Sequence, residues 1–157
     1  MKIGMCGEMK SKYYDEHLEI GLKYQDFAIE QLYNIGIVVN PYTSQENQRL
    51  IGEGKNGIEI KFDGRMETGN VYIETQEKSD VSRLSYYPSG IYRNDNTWLY
   101  VIGNYNLILI FGKKTLQILF ESGRYPEIEI SNMTSKGFLL PISFAKERVA
   151  VKFIEIE

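Results

Sequence analysis

Two runs decide the fold: Gly57-Ile58-Glu59-Ile60-Lys61-Phe62-Asp63 and, after a link rich in turn residues (64–70), Val71-Tyr72-Ile73-Glu74-Thr75-Gln76-Glu77-Lys78. Both alternate with a period of two. Ile58, Ile60 and Phe62 face one way and Glu59, Lys61 and Asp63 the other; Val71 and Ile73 oppose Tyr72, Glu74, Gln76 and Lys78. The pattern predicts an antiparallel hairpin with one apolar and one polar face. Glu59 and Glu74, 15 positions apart, then meet across the ladder. Opposed carboxylates repel unless something positive neutralises them. One reading is a hard divalent cation such as Mg²⁺, which takes carboxylate and water oxygens. The other is a solvated, ion-paired face in which Lys61 or Lys78 supplies the charge.

Upstream, Leu18, Leu22, Ile29 and Leu32 recur at helical spacing, and Gly36 follows as a stop signal, so residues 15–34 are expected to form one amphipathic helix after a polar leader. Gln25 falls inside that apolar stripe. It either bonds to neighbouring backbone or faces a site. Residues 37–39 form a short β-branched run, and the polar, glycine-rich stretch 43–57, which contains Glu53, is expected to be a short helix or an ordered loop. Downstream, a loop (79–96, with Pro88-Ser89-Gly90) precedes a strand over 98–102, a turn at Gly103-Asn104 and a strongly apolar strand over 107–111. Residues 113–121 read as a short helix, and 127–130, 137–144 and 149–156 as further strands. No linker or repeat interrupts the chain, so one domain over 1–157 is expected.

The chain has 157 residues, 43% hydrophobic and 25% charged, enough for one domain with a sizeable core. Its net charge of −3, from 18 Lys and Arg against 21 Asp and Glu, argues against coating nucleic acid by bulk charge. With one cysteine (Cys6) and one histidine (His17), it lacks the residues for a disulfide framework, a Cys/His zinc site or an HNH-type site. Any chemistry is expected to run on carboxylates. No stretch approaches the ~18 apolar residues of a membrane span, and the N-terminus lacks the apolar run of a signal peptide, so a soluble, cytoplasmic protein is expected.

The order of a helix over 16–36, Gly57-Ile58-Glu59-Ile60, a turn, and Val71-Tyr72-Ile73-Glu74-Thr75-Gln76 resembles the core of the PD-(D/E)XK, or restriction-endonuclease-like, nucleases. The helix 21–32 with Gly36, and Pro88-Ser89-Gly90-Ile91 before Trp98, extend the resemblance over about residues 16–121. It implies an α/β fold with a central mixed sheet flanked by helices, and metal-dependent hydrolysis of DNA phosphodiesters with Mg²⁺ or Mn²⁺. Glu59 stands where that superfamily has its first Asp, Glu74 at its second acid, and Gln76 where it most often has Lys. The resemblance implies that Glu59, Glu74 and the Thr75 carbonyl bind metal and that Gln76 orients water. A displaced lysine, Lys61 in preference to Lys78, adds charge. Gln25 and Glu53 are accessory candidates, and Arg83, Arg93, Lys113 and Lys114 are candidates for touching DNA phosphates. Gln76 also keeps open a protein that has lost catalysis and binds nucleic acid or a protein partner. A homodimer is consistent with so small a domain reading DNA.

Gly90-Ile91-Tyr92 and Tyr100-Val101-Ile102-Gly103 resemble the two signatures of GIY-YIG nucleases, but the second does not read Tyr-Ile-Gly and the block lies deep in the chain. Gly52-x-Gly54-x-x-Gly57 precedes a strand instead of opening a helix, unlike a phosphate-binding loop.

Overall fold

The computed structural model describes residues 5–41, 54–130 and 134–157, with side chains from residue 15 onward. The chain is a mixed α/β protein whose strands form two four-stranded sheets. A single central sheet does not form. The first sheet has the order β1-β4-β5-β8, from β1 (Ile58–Phe62), β4 (Leu99–Gly103), β5 (Leu107–Gly112) and β8 (Lys152–Glu155). It is mixed, because β1 runs parallel to β4 while the other pairs are antiparallel. The second sheet is antiparallel, order β3-β2-β7-β6, from β2 (Asn70–Glu77), β3 (Tyr87–Pro88), β6 (Ile128–Glu129) and β7 (Ser135–Pro141).

The expected hairpin is therefore absent: β1 and β2 follow each other in sequence but belong to different sheets. Their connection is a 3₁₀ turn (Met66–Thr68) whose Met66 is buried in the core. The Asp63 carboxylate fixes this turn, accepting the Arg65 and Tyr72 amides at 2.9 Å each. Alternation specifies that each strand has an apolar face, but it does not specify which strand it pairs with.

The central strands β4 and β5 are buried on both faces and read as near-continuous apolar runs, LYVIG and LILIFG. Leu99, Val101, Ile108 and Ile110 pack with Ile58 and Ile60 against Tyr24, Ala28 and Leu32 of α1 (Met5–Asn34). On the opposite face, Tyr100, Ile102, Leu109 and Phe111 pack against Val71, Ile73, Phe138 and Leu140 of the second sheet and Leu116 of α2 (Lys113–Glu121). The layers are thus α1, first sheet, second sheet with α2. A single helical turn, α3 (Ile142–Phe144), and a π turn (Ala145–Val149) lead into β8.

The boundaries of α2 agree with the sequence reading, whereas α1 begins ten residues earlier than expected. Residues 5–14 contain no proline or β-branched residue to stop it. The buried stripe of α1 also differs. Leu18 and Leu22, expected inside, are 38% and 51% exposed, because the sheet reaches only the C-terminal half of the helix. Residues 37–39 are not a strand, and most of the stretch 43–57 lies outside the described residues. Among the described residues no helix is long and apolar enough to cross a membrane.

Candidate active site

Glu59 is on the β1 face opposite Ile58 and Ile60, which places its carboxylate between the two sheets at 2% exposure. An ionised group there is tolerable only with close partners. Lys61, two residues along the same face, brings its Nζ to 2.8 Å from Oε1, and the Thr97 hydroxyl donates to Oε2 at 3.2 Å. Tyr100, the register partner of Glu59 on β4, sets its hydroxyl against the same carboxylate. Burial, and after it the Glu59 charge, pushes the Tyr100 phenol well above its ordinary value. The phenol stays protonated and donates to the Gly90 carbonyl at 2.6 Å.

Glu74, on β2, sits in a hydroxyl cradle. Ser89 donates to its Oε1 at 2.6 Å and Ser135 to its Oε2 at 3.0 Å. The Tyr72 and Ser135 hydroxyls share a further hydrogen bond of 2.7 Å. Burial, partly offset by this bond, pushes Tyr72 up to about 12. The Ser89 amide also donates to the Thr75 carbonyl at 3.0 Å, fastening the loop to β2. Gly90 must be glycine, because its φ is +53° and a Cβ would collide with the Glu74 backbone. Residues 88–91 therefore join the two carboxylates: Ser89 holds Glu74, and the Gly90 carbonyl takes the tyrosine that lies on Glu59. The ladder contact expected from sequence is replaced by this loop.

A cleft of about 1120 Å³ opens beside the network. His17, Leu18 and Gln25 of α1 line it together with Lys61, Asp63, Tyr72, Glu74 and Tyr100. Gln25, Lys61 and Glu74 are thus brought to one space, with Glu59 behind Lys61. Gln76 is differently engaged. A register irregularity between Glu74 and Gln76 accompanies a turn of both Thr75 and Gln76 toward Glu127. Gln76 Nε2 donates to the Glu127 carboxylate oxygens at 2.9 and 3.1 Å, and Thr75 Oγ1 to Glu127 Oε2 at 2.6 Å. The amide nitrogen expected to orient water is committed to Glu127.

Lys78 donates to the Arg83 carbonyl at 2.9 Å and lies 4.8 Å over the Tyr86 ring. Lys113 was expected to be a phosphate contact but has a side chain only 12% exposed, 3.1 Å from Asp95 and 2.7 Å from the Arg93 carbonyl. Arg93 turns its Nε toward Asp95 at 3.8 Å. Arg83 and Lys114 are exposed, and Glu53 lies outside the described residues. Ser89 was legible as part of a loop motif, whereas Thr97, Tyr100, Glu127 and Ser135 carried no local signal, since each acts across the fold. Gly90-Ile91-Tyr92 forms a 3₁₀ turn with Ile91 in the core.

No protein-family model matches the chain, and comparison with curated proteins and with solved structures gives no match either. Among the described residues no group of three or more His, Cys, Asp or Glu side chains is placed to hold a metal ion. Of the two carboxylates, Glu74 lines the cleft and Glu59 lies behind Lys61; the oxygens of both have lone-pair capacity beyond the hydrogen bonds they accept. That set fits Mg²⁺, which is often held by one or two carboxylates and several waters.

Proposed function

We propose that the protein is a metal-dependent DNA endonuclease with a restriction-endonuclease-like core, hydrolysing phosphodiester bonds with Mg²⁺ or Mn²⁺. The observation that supports this reading is the convergence of Glu59 and Glu74, from two different sheets, on one hydrogen-bonded network beside a cleft that Lys61 also lines. Glu59 and Glu74 would hold the cation, which when bound activates water and neutralises charge on the phosphate. The Ser89 and Ser135 hydroxyls hold the Glu74 carboxylate in orientation. Lys61, with a side chain 44% exposed, is the cation able to leave Glu59 for a phosphate oxygen and so takes the part of the missing motif lysine. DNA is the proposed partner; a homodimer in the cytoplasm belongs to the same reading.

A second reading is a nuclease-fold protein without catalysis, acting as a nucleic-acid- or protein-binding module. It is favoured by the engagement of all four oxygens of Glu59 and Glu74 within the protein and by the capture of Gln76 by Glu127. Cleavage of supercoiled plasmid and of branched DNA in Mg²⁺ or Mn²⁺, with thermal melting in the same buffers, separates the two. The nuclease reading expects cutting and a metal-induced rise in melting temperature, equivalent to about 2.7 kcal/mol at a hundredfold excess over Kd. Neither effect appears if the protein is a binding module.

A further inference from the structure

A second buried carboxylate stands behind Glu59. Asp95, in the loop before β4, has a side chain only 1% exposed, and its Oδ1 lies 3.1 Å from Lys113 Nζ. The same oxygen accepts the Thr97 amide at 2.9 Å. The Thr97 hydroxyl in turn donates to Glu59 Oε2 at 3.2 Å, and Lys61 occupies Oε1 at 2.8 Å. Lysine, aspartate, threonine, glutamate and lysine thus form one chain, from the first residue of α2 to the cleft.

Burying Asp95 with Lys113 is costly, and a buried ion pair is often no more stabilising than apolar residues of the same volume. Its position suggests what it does. Asp95 holds the Thr97 backbone, and Thr97 holds the Glu59 oxygen that Lys61 does not reach. Of the three side chains on Glu59, Lys61 is nearly half exposed and able to move, whereas Thr97 and Tyr100 are buried; Tyr100 gives its proton to the Gly90 carbonyl, which leaves the Thr97 hydroxyl as the buried donor to Glu59. We propose that Thr97, fixed by Asp95 and Lys113, is the positioning residue that keeps Glu59 in its working orientation when Lys61 is drawn toward a phosphate. This inference rests on the nuclease reading. It assigns to Asp95 and Lys113 a role at the site, where Lys113 was expected on DNA.

The test compares wild type, Thr97→Val, Thr97→Ser and Asp95→Asn in single-turnover plasmid cleavage over a Mn²⁺ titration, with Mn²⁺ binding to the protein alone measured by calorimetry. Loss of the hydroxyl in Thr97→Val is expected to raise the Mn²⁺ needed for half-maximal rate, and the Mn²⁺ Kd, about tenfold, with the DNA concentration for half-saturation unchanged. Thr97→Ser, which keeps the hydroxyl, stays within about threefold of wild type, and Asp95→Asn falls between. Equal Mn²⁺ requirements in wild type and Thr97→Val overturn the proposal, as does equal impairment of Thr97→Val and Thr97→Ser, which would mean packing and not the hydroxyl. If Thr97→Val does not fold, Asp95→Asn decides by the same Mn²⁺ readouts. A wild type that neither cuts nor binds Mn²⁺ overturns the nuclease reading itself, and the positioning role with it.

Discussion

At the scale of single residues, Glu74 and Gln76 make opposite predictions although they lie two positions apart. Glu74 lines the cleft in its cradle of serine hydroxyls, so Glu74→Ala is expected to lower plasmid cleavage by about 10³-fold or more while the protein stays folded. Gln76→Lys, which restores the superfamily's usual residue, is expected to change the rate by less than about threefold, because Glu127 would take the new ammonium into an ion pair. A large gain in rate from Gln76→Lys would contradict this placement. Gly90→Ala adds a Cβ against the Glu74 backbone at positive φ and is expected to cost about 3 kcal/mol or more in urea denaturation. The residue types of the site were legible: Glu59, Lys61 and Glu74 were all read from alternation. Of their partners, Ser89 was legible only as part of a loop, 15 positions from Glu74, and Thr97 and Ser135 were not legible, because they lie 38 and 61 positions from the carboxylates they bind.

At the scale of elements, α1 carries the clearest contrast. Leu32 is fully buried against the first sheet, and Leu32→Ala is expected to cost about 2–5 kcal/mol. Leu22, 51% exposed at the cleft, is on the part of the helix that the sheet does not reach, and Leu22→Ala is expected to stay within about 0.5 kcal/mol of wild type. From sequence the two leucines looked equivalent, since periodicity records a helix face without recording how far its partner extends. The same limit explains the hairpin. β4 with β5, joined by a short turn, and α2, with its own boundaries, were legible because their contacts are local. The parallel pairing of β1 with β4 was hidden, because it spans about forty residues and depends on Ile58 and Ile60 turning toward α1 while Val71 and Ile73 turn toward the space between the sheets. β3, two residues long, falls below any periodic signal.

For the molecule as a whole, burial of phenols gives a stability prediction that does not depend on function. Burial raises Tyr24 and Tyr100 well above the ordinary tyrosine value and is the leading cause of the rise to about 12 at Tyr72 and Tyr92. These groups hold their protons in the folded state after unfolded tyrosines have lost theirs. Stability is therefore fully present below about pH 10 and falls as pH rises toward the folded values, by up to about 1.4 kcal/mol per pH unit for each fully buried phenol. Urea midpoints at about pH 8 and about pH 11 check the sign, and an unchanged midpoint would mean that the phenols are not buried as described. The mixed α/β class was legible in the sequence; the division into two sheets came from long-range packing that no window of residues records. The proposed function stands or falls with Glu59 and Glu74 forming one metal-dependent site. Cleavage of supercoiled plasmid in Mn²⁺ by wild type, Glu59→Gln and Glu74→Gln, with a chelator control, tests it most directly. The expected result is cutting by wild type that chelator and either substitution abolish; cutting that survives both substitutions, or a wild type that does not cut at all, would mean that Glu59 and Glu74 do not form such a site.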